Sequence, residues 1–402
     1  MTIVDRFHGL ATDDAPGQEV RRAVGGDFLR GEPLEGPRID FSHGDVDAHA
    51  PTPGAFEAFA AGVAEGGAQA YTEYRGRAEI RELLAARLAA FTGAGVDAQD
   101  GLIVTPGTQG ALFLAVAATV ARGDKVAIVA PDYFANRKLV AFLEAESLPV
   151  RLGYHEAGEE AAGLDLDALE AAFRAGARVF LFSNPNNPVG AVYSGAEIDR
   201  IAALAARHGA TVIVDQLYSR LLYEDARYTH LRASPQATDN VVTIMGPSKT
   251  ESLSGYRLGV AFGPREIVSR MEKLQAIVSL RAPGYGQAVL RTWFDEPEGW
   301  MAERIRRHQA IRDDLVARFR AIPGCAVRAP QAGSYLFPRL PALSLPPSDF
   351  VAALRLQAGV IVTPGTEFGP HSADSVRLNF SQDHAAAVAA VDRIAAMVER
   401  YR

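Results

Sequence analysis

Several short apolar runs in this chain end in residues that can do chemistry. Val241-Val242-Thr243-Ile244-Met245 leads into Gly246-Pro247-Ser248-Lys249. A lysine in such a turn is either a solvated charge or an amine held in a cleft. Partial burial lowers the pKa of such an amine and suits it to Schiff-base chemistry. Arg257 follows eight positions later, behind Gly255-Tyr256. Thr211-Val212-Ile213-Val214 leads into Asp215, with Tyr218 close behind. A carboxylate there either caps a helix or meets a cation or a hydrogen-bond donor, because burying it alone is costly. The run 178–183 leads into Asn184-Pro185-Asn186-Asn187-Pro188-Val189-Gly190. Two X-Pro pairs hold that backbone extended, and its amides can donate to a ligand oxygen. The run 102–105 leads into Pro106-Gly107-Thr108-Gln109-Gly110, where a helix starts. Small residues at a helix N-terminus let backbone N–H groups face an anion. Two cations beside such turns suggest a phosphate-bearing ligand.

These residues need a scaffold that brings strand ends together. The β-branched runs near 126–129, 178–183, 211–214 and 241–245 are bounded by turn residues. Helical patterns near 55–66, 76–92 and 108–121 precede them, and others near 134–146 and 166–175 separate the first two. That order implies βαβ crossovers and a mostly parallel sheet, whose ligands bind beyond the carboxyl ends of the strands. A long helical pattern over 297–320 ends at Pro323-Gly324. Beyond it, short strands near 325–329, 334–339, 360–363 and 375–380 flank helices near 348–358 and 384–400, which reads as a smaller α+β unit. Residues 1–50 are weakly patterned and read as an arm lying on another surface. The expected division is 1–54 as arm and part of the small domain, 55–297 as the large domain and 298–402 as the small one.

Composition narrows the function classes. The chain has 402 residues, 48% hydrophobic and 22% charged, with a net charge of −7. That excludes a rod or a long disordered chain, and no Lys/Arg block marks a nucleic-acid surface. The single cysteine, Cys325, excludes an intrachain disulfide and a Cys-rich zinc site, and its place at a strand start suggests packing. No secretory signal and no apolar stretch of membrane-spanning length is visible, so a soluble, cytoplasmic protein is expected.

The constellation resembles the fold-type-I pyridoxal-phosphate enzymes, specifically the aspartate-aminotransferase-like class I/II aminotransferases. The resemblance runs from about 40 to 400. It is carried by Tyr71 to Gly76, Gly107-Thr108-Gln109, Tyr133, Asn187-Pro188-Val189-Gly190, Asp215 to Tyr218, Ser248-Lys249 to Arg257, and Arg377. It implies an α/β fold with a mostly parallel seven-stranded sheet between helices, a smaller α+β domain, and pyridoxal 5′-phosphate as cofactor. Lys249 would form the Schiff base and later move the proton. Asp215 would pair with the pyridinium nitrogen, making the ring an electron sink. Asn187 and Tyr218 would donate to the phenolic oxygen, and Tyr133 would stack on the ring. The phosphate would sit on the amides after Gly107, those of Thr108 and Gln109, with Ser248 and Arg257 beside it. Tyr71 would reach the phosphate of the neighbouring subunit in a homodimer. Arg377 would grip the substrate α-carboxylate, and Gly44 would close over the substrate with its backbone. No metal, nucleic-acid or membrane partner is implied.

Some positions depart from the family pattern. Gly246 replaces a Ser or Thr that would contact the phosphate. Glu251 stands where an aromatic or small residue is usual, Val189 replaces Thr, and His43 and Asp45 flank Gly44. An imidazole and carboxylates near the amine end of a site suit a basic substrate or an altered reaction. The leading expectation is therefore an aminotransferase working on an amino acid and a 2-oxo acid. The alternative is an oxidase or hydroxylase, cyclase or lyase of the same fold, acting on an amino acid such as arginine. A non-catalytic sensor would need a basic winged helix-turn-helix, for which residues 1–50 are too short and too acidic. From sequence alone, a solvent-facing arginine on a half-exposed strand remains the rival reading of Arg377.

Overall fold

The computed structural model describes residues 3–10, 28–44, 47–66, 70–158, 160–223, 226–237 and 239–402. A short strand, β1 (Ile39–Asp40), precedes seven strands that form one sheet. In chain order these are β2 (Leu102–Pro106), β3 (Lys125–Ala130), β4 (Glu146–Arg151), β5 (Ala177–Ser183), β6 (Thr211–Asp215), β7 (Val241–Met245) and β8 (Leu258–Phe262). Their spatial order is β2-β8-β7-β6-β5-β3-β4. From β7 through β4 all pairs are parallel, and β8 runs against both β7 and β2. The carboxyl ends of β2, β3, β5, β6 and β7 therefore share one edge.

Both faces of the sheet are dry at its inner strands, which is why these are apolar runs rather than alternating ones. In β5, Phe180 and Phe182 pack into the core on one face, and Val179 and Leu181 into the core on the other. In β6, Val212 and Val214 join the first core and Ile213 the second. A separate core gathers Ile311, Leu315 and Phe319 of the helix Trp300–Ala321, Phe350 and Leu354 of Pro347–Gln357, and Ile394 and Met397 of His384–Tyr401. Around it lie β9 (Tyr335–Leu336), β10 (Val360–Ile361), β11 (Thr363–Pro364) and β12 (Val376–Asn379). β1 pairs in parallel with β10, and Ile39 and Phe41 sit in this third core. This part of the weakly patterned N-terminal segment is thus built into the small α+β unit.

Several boundaries differ from the sequence expectation. The helix expected over 134–146 stops at Phe142, and Glu146–Arg151 is an edge strand. The strand expected over 325–329 is only a bridge between Ala326 and Arg339, and that over 334–339 shrinks to Tyr335–Leu336. Helices Gly195–His208 and Arg265–Val278 and strand β8 complete the large unit. Cys325 packs beside the core of the small unit, and burial raises its thiol to about 11, in keeping with a packing role.

Candidate active site

One cavity lies along the shared edge of the sheet. Thr108 and Gln109 reach it from the end of β2, Tyr133 from β3, and Ser183, Pro185 and Asn187 from β5. Asp215 and Tyr218 come from β6, and Ser248, Lys249 and Arg257 from the segment between β7 and β8. Tyr335 of β9 closes it from the small unit. Of the chain's four lysines, Lys125, Lys138, Lys249 and Lys273, only Lys249 lines this cavity. Lys138 is committed elsewhere, 2.6 Å from Glu367.

The end near β2 is shaped by backbone. The helix Gly107–Thr119 starts there without a side-chain cap, so its first-turn N–H groups are left for a ligand. Gly107 has φ 75, and a Cβ on it would lie 2.5 Å from Nη2 of Arg257. A Cβ on Gly259 would intrude on the Thr108 amide nitrogen and the Gly107 carbonyl carbon. A Cβ on Gly246 would come within 2.7 Å of Thr108 Cγ2, so the hydroxyl residue usual at that position does not fit here. Arg257 itself holds φ 55, uncommon outside glycine, and its Nη1 donates to Ser254 O at 3.0 Å.

In the middle, Asp215 Oδ1 accepts the Leu217 N–H at 3.0 Å. Burial raises its carboxyl to about 6, with that hydrogen bond and the Lys249 cation pulling it down. Lys249 makes no hydrogen bond or ion pair among the described residues. The hydroxyl of Tyr218 donates to that of Tyr335 at 2.9 Å, and Tyr133 Oη donates to Gln109 Oε1 at 3.0 Å. Asp132, 2% exposed, accepts from the Tyr133 N–H at 2.6 Å and from the Ser183 N–H and Oγ at 2.9 and 2.7 Å. Ser183 Oγ in turn accepts the Asn187 N–H at 3.0 Å. Asp132 thereby ties together two walls of the cavity.

Arg377 is buried, not solvent-facing: it is 2% exposed. The strand alternation does hold, since Val376, Leu378 and Phe380 enter the core of the small unit. Its opposite face is covered by the large unit and the N-terminal segment. Arg377 Nη1 donates to Asn187 Oδ1 at 3.1 Å and Nη2 to Ser42 O at 3.0 Å. Its guanidinium lies 4.4 Å from the Tyr335 ring centroid and 4.8 Å from that of Phe368. Its buried Nε has no partner among the described residues.

A second cavity adjoins the first and shares Tyr218, Ser248, Lys249 and Ser254 with it. Gly44, His43, Asp40, His308 and Ser381 line it. His43 is mostly exposed and stands 3.7 Å from Asp40, and Asp45 lies outside the described residues. Glu251 lines neither cavity and pairs instead with Arg220. Its carboxylate is therefore not one of the groups at the amine end of the site. Tyr71 is 76% exposed, away from the cavity, with Arg281 4.9 Å from its ring centroid. Tyr335, Asp132 and Arg220 are the neighbours that sequence reading missed. Asp132, next to Tyr133 in a strand-end turn, carried the one available signal.

Among the described residues, no helix is long and apolar enough to cross a membrane. Residues 37–394 match the family model described as aminotransferase class I and II. The chain is 70% identical to an aspartate aminotransferase from Rhodobacter sphaeroides 2.4.1 whose crystal structure is known, with 100% of each chain covered and a TM-score of 0.95. It is 27% identical to the aspartate aminotransferase of Musicola paradisiaca, with 85% of each chain covered. The N-succinyldiaminopimelate aminotransferase structure from Mycobacterium tuberculosis matches at 27% identity and a TM-score of 0.81, covering 90% of this chain and 93% of that one.

Proposed function

The chain belongs to the class I and II aminotransferases, and we propose that it works with pyridoxal 5′-phosphate held in the cavity around Lys249. It is a transaminase, moving an amino group between an amino acid and a 2-oxo acid, and its family is pyridoxal-phosphate dependent. Three features support the fit of this group to the residues present. Thr108 and Gln109 open an uncapped helix N-terminus beside Ser248 and Arg257, a donor set for a phosphate. The glycine at 107 keeps that cradle open. Asp215 is a half-buried acid facing the cavity, suited to a ring nitrogen that carries a proton. When bound, the cofactor supplies an electron sink for charge that develops at the substrate's Cα.

The chain's own residues then divide the work. Thr108, Gln109, Ser248 and Arg257 hold the phosphate, and Asp215 keeps the ring nitrogen protonated. Asn187 would donate to the phenolic oxygen, as would Tyr218 once its hydroxyl turned from Tyr335, and Tyr133 would cover one ring face. Lys249 Nζ takes the proton from the substrate's Cα. Arg377 holds the α-carboxylate, already oriented by Asn187 and the two aromatic rings. Gly44 closes the second cavity over the substrate. Residues 55–297 act as the cofactor-binding domain, and 298–402 with part of 1–54 as the small domain.

We also propose a homodimer, supported by exposed Phe56, Tyr71, Ile277 and Val278. Tyr71 would serve the partner's phosphate. Mixed Tyr71→Phe and Lys249→Ala subunits should then regain activity through hybrid dimers, and a fully active monomer would contradict this. With one cysteine the chain needs no oxidising compartment, and a cytoplasmic location is proposed.

The observation that carries the reading is that Lys249, the half-buried Asp215 and an anion cradle line one cavity. The name of the 70% identical relative supports aspartate as amino donor. A panel of amino donors with one 2-oxo acid acceptor tests this. Aspartate should give the highest kcat/KM. A donor without a side-chain carboxylate that outperforms it about tenfold would contradict the assignment.

A further inference from the structure

Arg220 stands two residues beyond Tyr218, and Glu251 two residues beyond Lys249. Their side chains are 12% and 1% exposed, and Arg220 Nη1 donates to Glu251 Oε1 at 2.5 Å. The same guanidinium forks onto Glu296, with Nη1 to Oε1 at 2.7 Å and Nη2 to Oε2 at 2.9 Å. It lies 4.1 Å from the centroid of the Phe294 ring. One buried cation thus joins the loop after β6 to the loop after β7 and anchors both to the turn at 294–296. The lysine loop has two further ties. Glu251 O accepts the Thr52 N–H at 3.1 Å, and Ser252 Oγ accepts from Arg304 Nη1 at 3.0 Å. The charged groups around Glu251 are Arg220, Glu296 and Arg304.

A buried ion network is a poor device for stability, because desolvation offsets most of its attraction. Burial here raises Glu251 to about 7, with Arg220 pulling the other way. What such a network does well is fix geometry, since a guanidinium fork accepts carboxylates only in its plane. An aromatic side chain at 251 would fill the space without linking the loops. We propose that the Arg220–Glu251–Glu296 bridge is a positioning brace that sets the Lys249 amine against the Tyr218 hydroxyl. The brace rests on the reading of Lys249 as the reactive amine. It acts through two site residues and touches neither substrate nor cofactor.

The test compares wild type, Glu251→Gln, Arg220→Lys and, as a control, Glu303→Gln. Glu303 lies on the surface of the helix Trp300–Ala321, paired with Arg306 and Arg307. Borohydride reduction in the presence of pyridoxal phosphate first asks whether Lys249 of the wild type is tagged. Hydrogen exchange is then followed in the protein without added cofactor, and kcat, KM and the pH midpoint of the cofactor absorbance in the loaded protein. In Glu251→Gln, segments 217–223 and 247–254 should exchange faster together. The midpoint should move by about half a unit or more, and kcat should fall about tenfold with KM within about twofold. Arg220→Lys keeps the charge but loses the fork, and should do the same if Glu251→Gln does not fold. The control should change none of these. A wild-type midpoint and kcat in a tagged, folded Glu251→Gln protein would overturn the brace, even with a lowered Tm. A wild type not tagged at Lys249 would sink the reading of the site, and the brace with it.

Discussion

The two ends of the cavity hold their arginines in different ways. Arg257 is set by backbone: its own φ of 55, the Ser254 carbonyl, and the space that Gly107 leaves. All of that belongs to one sheet edge. Arg377 is set by groups from distant segments: Asn187, the Ser42 carbonyl, and the rings of Tyr335 and Phe368. That grip exists only when the large unit, the small unit and the N-terminal segment are assembled together. On the proposed reading, damage at the first end loses cofactor, and damage at the second loses substrate while cofactor stays.

Of the two ends, Arg377 is expected to show the larger effect. Truncation leaves the substrate carboxylate unpaired in a dry site, which should cost about 3–5 kcal/mol. Arg377→Ala should raise KM for amino and oxo acids alike by roughly two to three orders of magnitude. Cofactor affinity should barely move, as equilibrium titration would show. A variant that loses cofactor instead would erase the contrast between the two ends.

Next comes the cradle. Gly259→Ala would drive a methyl group into Thr108 N and Gly107, where backbone cannot yield cheaply. A destabilisation of about 2–3 kcal/mol is expected, read as a lower Tm. Pyridoxal phosphate should bind more weakly, with KM little changed once the protein is saturated. A rise in KM with cofactor affinity intact would reverse the roles assigned to the two ends.

The same contrast explains what was legible in the sequence. The cradle and the strand ends could be read because each strand is a local β-branched run followed at once by its functional residues, as in Val214-Asp215. β4 was hidden because it is an edge strand, Glu-Ser-Leu-Pro-Val-Arg, mostly exposed and interrupted by Pro149. Arg377 could be placed on a strand face, but its burial depends on Asn187 and Ser42, 190 and 335 residues away. No local pattern encodes that. The Arg220–Glu251 pair has no local signal for the same reason, since the two residues come from different loops. Tyr335 looked like one more aromatic residue in a short strand until β9 was seen to close the cavity.

The smallest effect concerns the substrate end and pH. His308 is 2% exposed, with its Nε2 2.9 Å from Ser381 Oγ in the second cavity. Burial first, then the His49 ring tilted against it at 4.2 Å, lowers its pKa to about 3 from 6.5. The unfolded chain takes up this proton before the folded one does. The stability His308 contributes is therefore complete above pH 6.5 and is lost as pH falls from there towards 3. Between pH 7 and 5, wild type should lose about 2 kcal/mol more than His308→Gln in urea unfolding. Equal losses would mean that His308 is not held neutral by the fold.

The central claim is that Lys249 is the amine around which the site is built. Borohydride reduction with pyridoxal phosphate, followed by peptide mapping, tests it most directly, because only four lysines compete for the label. The label should fall on Lys249, and Lys249→Ala should lose both label and turnover. A label on Lys125, Lys138 or Lys273, or a Lys249→Ala variant that still turns over, would contradict the account.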